Sequence, residues 1–426
     1  MLSGEGGDRV RARIRPAPGW QRKSRARKEI KDISASGPIP TFAVVSSNVK
    51  RNEGSIVSEA TTNQRSNPFT PVFGKVPAYM AGREQIVEDM VMAFESEGND
   101  PNLCSIFVGA RGTGKTALLT HLGYRAQQLG WVSVNVTASD GMLEDILQRL
   151  REAARHLVAE PPSRKLTGAS VAGVGGLSWE NASPAQANWR TRMNALLDEL
   201  GEAGTGVLIT VDEVDCSIGE MISLVTTYQH FVREDRRVAL LMAGLPHRVS
   251  DLLTGKSTSF LRRAAQHPLG SIPPYEVKEA FRLTVEDGGK EIDDGALQEA
   301  AEAIGGFPFM FQLVGYRSWN MARRSREISA EHVRRGAALA QEELESRVFG
   351  ATLSELSAGD VEFLRAMDPD DGALTSRKEL TERLGKGSSH VSTYKRRLLD
   401  AGVIEEPRNG EFRFGLPGFG DYLAKR

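Results

Sequence analysis

The sequence lacks the features that mark several classes of protein. Among its 426 residues it has only two cysteines, Cys104 and Cys216, which excludes a disulfide framework and predicts two reduced thiols. No apolar run approaches the roughly 18 residues that a membrane-spanning helix needs, and the N-terminus lacks the apolar core of a secretory signal. We therefore expect a cytoplasmic protein without a membrane partner.

The sequence is also poor in metal-ligand patterns and in net charge. Its seven histidines are scattered, and none is spaced with another histidine, a cysteine or a carboxylate as a structural metal site requires. The net charge of −1 argues against a nucleic-acid-binding surface over the whole chain. Positive charge is instead concentrated near the ends. Ten lysines and arginines lie between Arg9 and Lys31, where Glu29 is the one acidic residue.

This basic stretch belongs to a segment, residues 1–66, that is rich in Ser, Gly, Arg and Asn and has no sustained helical or strand period. Few apolar residues are available to fold it, so we predict a disordered, solvated N-terminal tail. The alternative is an arm that binds nucleic acid, because clustered basic side chains attract phosphates.

Short apolar runs alternate with amphipathic stretches from residue 103 onward. The predicted strands are LCSIFV, WVSVNV, GVLITV and VALLMAG. Strands that alternate with helices predict an α/β domain over residues 67–252, with a parallel sheet flanked by helices. Within it, residues 165–180 are rich in Gly and predict a loop or short hairpin, either a passive insertion or a contact for a partner.

Two further domains are predicted after the sheet. Residues 253–350 have the pattern of several helices, interrupted at GGFP, and predict an α-helical lid. Residues 351–426 have a separate pattern of short helices and strands. The predicted fold class is therefore α/β, in which a parallel sheet flanked by helices is followed by a helical lid and a smaller C-terminal domain.

A glycine-rich motif, GARGTGKT, follows the first predicted strand and precedes a helix. This is the GxxxxGK[ST] arrangement of the P-loop, in which backbone N–H groups surround a phosphate. Lys115 is expected to contact the β- and γ-phosphates, and Thr116 to ligate Mg²⁺. The residues that we expect to bind the nucleotide here are Gly109, Ala110, Arg111, Gly112, Thr113, Gly114, Lys115 and Thr116.

An acidic pair, Asp212 and Glu213, ends the predicted strand VLITV. An aspartate at the carboxyl end of a strand neighbouring the P-loop strand can hold Mg²⁺, and an adjacent glutamate can polarise the attacking water. With Lys115, the pair predicts hydrolysis of a nucleoside triphosphate. The alternative is a surface turn without a catalytic role. Asp215 is expected to cap a helix or to form a salt bridge.

With these motifs the chain resembles an AAA+ ATPase, in the branch that includes archaeal and eukaryotic replication initiators and grades into the STAND-type signalling ATPases. The resemblance covers about residues 68–426 and implies ATP as the nucleotide. It also implies that Gly82 and Arg83, within MAGREQ, help to hold the adenine. Pro308, within GGFPFMFQ, then faces the nucleotide from the lid, unless this proline merely begins a helix.

The resemblance implies one more catalytic residue. SFLRRAAQHPLG is similar to a family element in which an arginine completes the site of a neighbouring subunit. Arg263 is the first candidate and Arg262 the second, and the alternative is an arginine in a surface salt bridge. The fourth strand departs from the family, since Gly244 stands where a polar sensor residue is expected. We therefore do not expect a side chain at that position to sense the γ-phosphate.

The segment 351–426 predicts three short helices followed by a hairpin. Ser376 and Glu379 have the spacing of a capping box, and Asn409-Gly410 predicts a tight turn. Three helices and a hairpin resemble a winged helix-turn-helix, which binds duplex DNA or docks on proteins. The side chains that we expect to contact DNA are His390, Lys395, Arg396 and Arg408.

Together these features predict an AAA+ ATPase that uses ATP and Mg²⁺ to drive or regulate the engagement of double-stranded DNA or self-association. Two alternatives remain open. One is a STAND-like nucleotide switch in signalling whose winged helix packs on its own lid. The other is a loader ATPase whose main partner is another protein.

Overall fold

The computed structural model describes residues 66–72, 74–96, 98–157, 188–369 and 373–426. Residues 63–426 form one compact unit. Apart from Ser66, the predicted tail lies outside the described residues, and so does the predicted loop at 165–180. The predicted domain boundaries therefore stay predictions, and the account below concerns the described part of the compact unit.

A parallel five-stranded sheet forms the centre of this unit. Its strands are β1 (Cys104–Val108), β2 (Val132–Thr137), β3 (Val207–Asp212), β4 (Val238–Gly244) and β5 (Ala265–Pro268). They lie in the order β2-β3-β4-β1-β5. β4 is buried along its whole length and β3 along all but its last residue, as expected for strands that are covered on both faces.

Six helices accompany the sheet within the described residues. They are α1 (Glu84–Glu95), α2 (Lys115–Gln128), α3 (Met142–Ala153), α4 (Trp189–Glu202), α5 (Gly219–Arg233) and α6 (Pro246–Thr254). Alternate strand residues point to opposite faces, so Ile106 and Phe107 belong to different apolar clusters. The first cluster includes α3, α4 and α5, and the second includes α1 and α2. The predicted α/β arrangement is confirmed.

The order of the strands corrects one expectation. β3, which carries the acidic pair, does not neighbour the P-loop strand β1, because β4 lies between them. Leu240 of β4 pairs with Cys104 of β1 on one side and with Ile209 of β3 on the other. The three strands consequently end at the same edge of the sheet, and Asp212 still reaches the region of the P-loop.

The helical segment after the sheet consists of α7 (Pro274–Asp287), α8 (Asp294–Ile304), α9 (Pro308–Met321) and α10 (Ala330–Leu344), with a short parallel pair β6 (Glu291–Ile292) and β7 (Glu327–Ile328). The chain before α1 is anchored on these helices. Phe69 is almost fully buried, with its ring centroid 5.0 Å from that of Phe281 and 6.0 Å from that of Phe311. Gly315 leaves the space that the Phe69 ring occupies.

The C-terminal region begins with a π-helical turn (Glu345–Phe349). It continues through α11 (Gly350–Glu355), α12 (Ala358–Arg365), β8 (Thr375–Ser376), α13 (Arg377–Leu384), α14 (Ser388–Asp400), β9 (Ile404–Arg408), β10 (Glu411–Phe414) and α15 (Phe419–Ala424). The sheet order is β8-β10-β9, antiparallel. The capping box of Ser376 and Glu379 is present, and Gly410 turns between β9 and β10 with φ of 82°. The interpretation of this region as a winged helix-turn-helix stays a prediction.

Among the described residues, no helix is both long and apolar enough to cross a membrane. In that same part of the chain, both cysteines are free, and burial raises the pKa of the Cys104 thiol to about 12. A thiol with so high a pKa is unreactive at neutral pH, because the thiolate is the nucleophilic form.

Candidate functional site

The loop between β1 and α2 has the backbone shape that its glycines permit. Gly112 and Gly114 have φ values of 79° and 87°, in the left-handed region that side chains rarely adopt. A Cβ on Gly112 would lie 2.5 Å from the ring of Phe307, and one on Gly109 would lie 2.6 Å from the Thr113 hydroxyl. The loop is therefore closely packed on both sides and tolerates no side chain at Gly109 or Gly112.

The start of α2 is suited to an anion. No described side chain caps this helix, whose N-cap is Gly114, so the first N–H groups are available to a ligand. The Lys115 ammonium donates to the carbonyl oxygens of Gly109 and Ala110, at 2.9 and 2.7 Å. Burial lowers the pKa of Lys115 to about 8, against the opposing effect of the Asp212 and Glu213 carboxylates. The site thus contains a poorly solvated cation that gains from an added anion.

The acidic pair meets the P-loop helix directly. The Thr116 hydroxyl donates to Asp212 Oδ2 at 2.5 Å, and the backbone N–H of Glu213 donates to Asp212 Oδ1 at 2.9 Å. Glu213 has φ of 53°, which is strained for a residue with a side chain. Such strain persists where surrounding contacts impose it, and it is concentrated at functional sites.

A cavity of about 510 Å³ extends from this contact toward the helical segment. Its lining includes residues 111–117 of the P-loop region, both members of the acidic pair, and part of the chain from Thr70 to Arg83. Pro308 and Phe311 of α9 close the opposite side. The volume lies within the range of small-ligand sites.

The two residues predicted from MAGREQ, Gly82 and Arg83, lie in or next to the wall of this cavity. Arg83 lines the cavity, but its guanidinium donates to the carbonyl oxygens of Gly82 and Gly270, at 2.9 and 2.6 Å. Burial lowers the pKa of Arg83. Gly82 has φ of 70°, and a Cβ there would lie 2.9 Å from Ile272. These contacts fix the wall to the chain after β5.

Pro308 begins a helix, as one of the two alternatives expected, and its predicted contact with the nucleotide stays a prediction. It occupies the first position of α9, where its fixed φ suits the helix start, and it lines the cavity. A Cβ built on Gly114 would lie 3.9 Å from Pro308. The start of α9 is therefore next to the P-loop.

Arg263 lies away from the cavity. It ends a short 3₁₀ helix (Ser259–Arg263) just before β5, and Ala265 pairs with Ser105 near the start of β1. Arg263 is therefore at the opposite edge of the sheet from the P-loop, which follows the end of β1. Its predicted action on a neighbouring subunit stays a prediction. The second candidate, Arg262, donates to the Leu253 carbonyl at 3.0 Å.

The absence of a polar residue at Gly244 has a packing reason. A Cβ at this position would lie 2.5 Å from Val214, the residue that follows the acidic pair. The Val214 side chain therefore occupies the space into which a residue at position 244 would extend.

Thr70 and Gln312 are among the cavity residues that were not predicted from the sequence. The Gln312 side chain accepts a hydrogen bond from the Thr70 backbone N–H at 2.8 Å, which ties α9 to the chain before α1. Gln312 is four residues after Pro308 and so lies on the same face of α9. That spacing was visible in the sequence, whereas its partner Thr70 lies 242 residues away.

The four predicted DNA-contact residues lie on α14 and β9, and three of them form ion pairs within the chain. Lys395 is 2.7 Å from Glu406, Arg396 is 3.1 Å from Asp251 of α6, and Arg408 is 3.7 Å from Glu411. The ring of His390 lies 4.4 Å from that of Tyr394, measured between centroids.

Comparison with known proteins gives one match in sequence. A family model described as a domain of unknown function (DUF8462) matches residues 346–423, from the π-helical turn into α15. No curated protein matches the chain.

Several solved structures are similar to the chain. A Cdc6p structure from Pyrobaculum aerophilum is 15% identical, with 83% of this chain and 96% of that chain covered and a TM-score of 0.42. The ORC2 protein of Aeropyrum pernix in its ADP form is 14% identical, with 83% and 97% covered and a TM-score of 0.49. The RuvB branch migration motor of Thermotoga maritima is 16% identical, with 81% and 95% covered and a TM-score of 0.39.

The fold is that of a P-loop nucleoside triphosphatase. Its own features carry this conclusion: a parallel sheet covered by helices, with a glycine-rich loop between β1 and α2 and an acidic pair at the end of β3. These neighbours are archaeal initiators of the Cdc6 and ORC type and RuvB, which are AAA+ ATPases of the kind that the sequence motifs resemble. With identities of 14 to 16% and TM-scores of 0.39 to 0.49, they carry no argument about this chain.

The packing of Gly112 leads to a prediction for nucleotide binding. In Gly112→Ala the new methyl group meets Phe307, so the loop must move and the affinity for nucleotide should fall about tenfold or more. Gly130→Ala is the matched control, because Gly130 has φ of 80° but open space around it. Titration calorimetry with the two purified variants measures both affinities. Parental affinity in Gly112→Ala would contradict this account of the loop.

Proposed function

We propose that this chain is an AAA+-type ATPase that binds ATP and Mg²⁺ in the cavity and hydrolyses ATP to control DNA engagement or self-association. The observation that carries the proposal is the contact between Thr116 and Asp212. It joins the first turn of the P-loop helix to the acidic pair, which are the two parts that phosphoryl transfer to water requires.

The P-loop would hold the phosphates. N–H groups at the uncapped start of α2 bind the β-phosphate, and the Lys115 ammonium exchanges its two carbonyl partners for phosphate oxygens. The base would occupy the part of the cavity between Arg83 and Pro308. Thr70 and Gln312 hold the two walls of that part together.

The residues present fit Mg²⁺, which prefers hard oxygen ligands and retains several waters. The Thr116 hydroxyl and the Asp212 carboxylate are the protein oxygens that would hold it. Mg²⁺, when bound, supplies positive charge that offsets the charge on the phosphates.

Glu213 would position the attacking water. The water oxygen forms a bond to the γ-phosphorus while the bond from that phosphorus to the β–γ bridging oxygen breaks, which yields ADP and phosphate. Glu213 accepts the hydrogen bond of the water, whose proton is finally released to solvent. Lys115 would stabilise the negative charge that develops on the β–γ bridging oxygen of the leaving ADP. Arg263 would act on the site of a neighbouring subunit.

A nucleotide switch with slow turnover is the second candidate. The observation in its favour is the proximity of the C-terminal region to the P-loop: a Cβ on Gly402 would lie 3.1 Å from the Arg111 guanidinium nitrogen Nε. A C-terminal region in this position can respond to the occupancy of the P-loop. The switch differs from the cycling ATPase in its rate, since it retains nucleotide over many minutes.

Double-stranded DNA is the partner that we propose for the C-terminal region, read as a winged helix. α14 would enter the major groove as the second helix of the helix-turn-helix, and the turn between β9 and β10 would act as the wing. Ser389, Ser392 and Thr393 on α14 are exposed, and the Arg408 side chain is 77% exposed. Arg408 is therefore available to a phosphate at little desolvation cost.

Substitution of Glu213 tests the hydrolytic role. Glu213→Gln keeps the size of the side chain but removes its charge, so the turnover rate should fall about 10²- to 10⁴-fold while ATP still binds. Phosphate release measures the rate and calorimetry the binding. Glu199→Gln on the exposed side of α4 is the matched control and should behave as the parent does.

Full turnover in Glu213→Gln would remove this residue from the reaction. The same assay, repeated over a range of protein concentrations, tests whether Arg263 acts on the site of a neighbouring subunit. A rate per subunit that does not rise with concentration would exclude a site shared between subunits.

Substitution of Arg408 tests the DNA proposal. Arg408→Ala should weaken binding to duplexes of any sequence and reduce the slope of log K against log[salt] by about 1, because one phosphate contact is lost. Arg326→Ala is the matched control, since Arg326 is 84% exposed and lies 3.2 Å from Glu291, far along the chain from α14. An unchanged slope in Arg408→Ala would exclude the wing from DNA contact.

A further inference from the structure

The C-terminal half of α14 contacts α6 of the ATPase core through polar and charged side chains. The Arg396 guanidinium is 3.1 Å from the Asp251 carboxylate, and His247 Nε2 is 3.1 Å from Asp400 Oδ1. Arg396 also pairs with Asp400 on its own helix, at 3.3 Å. Two residues of α6 thus hold two residues of the helix that we propose for DNA recognition.

We propose that α6 and duplex DNA compete for α14, so that the C-terminal region must leave α6 before it can bind DNA. This inference rests on the DNA partner proposed above. It adds two states of α14: a masked state, in which α14 contacts α6, and an unmasked state, in which α14 is free to bind DNA. The structure contains the masked state.

The two occupants would use the same face of α14. Ser389, Thr393, Arg396 and Asp400 follow one another at helical spacing and therefore lie on one face. Ser389 and Thr393 at the N-terminal end are exposed, whereas Arg396 and Asp400 contact α6. The major groove is about 12 Å wide and admits one α-helix, which is itself about 10 Å across, so no room remains for α6 beside an inserted α14.

The charges make the exchange feasible. A guanidinium binds a carboxylate and a phosphate in the same way, so Asp251 occupies the position of a phosphate on Arg396. This pair is solvent-accessible, with exposed fractions of 57% for Arg396 and 36% for Asp251. Exposed ion pairs are weak and are screened by salt, so a polyanion can displace Asp251.

The masked state also contacts the nucleotide site. Arg248 of α6 lies 2.5 Å from Asp215, three residues after Asp212, and 3.6 Å from Asp400 of α14. The salt bridge predicted for Asp215 is thus present, and its partner reaches the C-terminal region. Because Arg111 packs against Gly402 as well, docking touches both the P-loop and the loop after the acidic pair. Binding or loss of a phosphate at the P-loop would therefore alter contacts at the edge of the surface on which the C-terminal region is docked.

The test reverses the charge on α6 without altering α14. In the full chain, Asp251→Lys replaces an attraction to Arg396 by a repulsion and should tighten the apparent affinity for a 20-base-pair duplex about tenfold, because the binding-competent fraction rises. Asp294→Lys is the matched control, since it adds the same charge at a residue whose side chain is 94% exposed on α8. It should change the affinity less than about threefold.

Hydrogen exchange of the α6 amides provides a readout that does not depend on DNA. Asp251→Lys should increase exchange in α6, and the double variant Asp251→Lys with Arg396→Asp should restore protection, because the ion pair is re-formed with opposite signs. If the parent binds DNA and Asp251→Lys binds it no more tightly than Asp294→Lys does, the competition is wrong. If no form of the protein binds duplex, the proposed DNA function fails and the competition fails with it.

Discussion

The hydrogen bond from Thr116 to Asp212 is the interaction on which the proposed site depends, because it joins two segments almost 100 residues apart at the edge of the sheet. The bond requires that β1 and β3 end at the same level although β4 lies between them. Leu240 of β4 pairs with both β1 and β3, and this register places the ends of the two strands at the same level. Close packing around Gly112 and the strained backbone of Glu213 then set the shape of the two loops. A slip of one residue in either strand pairing would turn every side chain of that strand to the other face and separate the pair.

The surroundings of this bond differ in how firmly they are held. The cavity walls are fixed by buried groups: Phe69 is enclosed by aromatic rings of the helical segment, and Arg83 donates to two backbone carbonyls. The contact between α6 and α14 consists instead of polar and charged contacts, which include the accessible ion pair of Arg396 and Asp251 and the less exposed contacts of His247 and Arg248 with Asp400. Buried apolar contacts stabilise far more than exposed ion pairs do. This difference is what the two proposals require, namely a stable cavity for the nucleotide and a C-terminal region that can be released from α6.

Much of the fold and the central part of the site could be predicted from local patterns. The P-loop glycines, the strands and the acidic pair each follow from spacing within a few residues, and so do the capping box at Ser376 and the turn at Gly410. The position of β4 between β1 and β3 was not predicted, because strand pairing is a long-range property that the order of elements does not determine. The partners of Lys395 and Arg396 were likewise missed, since a surface ion pair between distant segments has no local sequence signal. The packing of Val214 against Gly244 gives the physical reason why position 244 lacks the polar residue that the sequence resemblance implied.

The most direct test of the account is the binding of ATP with Mg²⁺ to the full chain, compared between the parent and Lys115→Ala by titration calorimetry. Removal of a charged donor from a phosphate should weaken binding about 10- to 100-fold, whereas Lys256→Ala, at an exposed lysine outside the cavity, should leave it unchanged. Near-ultraviolet circular dichroism shows whether each variant keeps its fold. Equal affinity for ATP in the parent and in a folded Lys115→Ala would contradict the claim that the P-loop holds a nucleoside triphosphate.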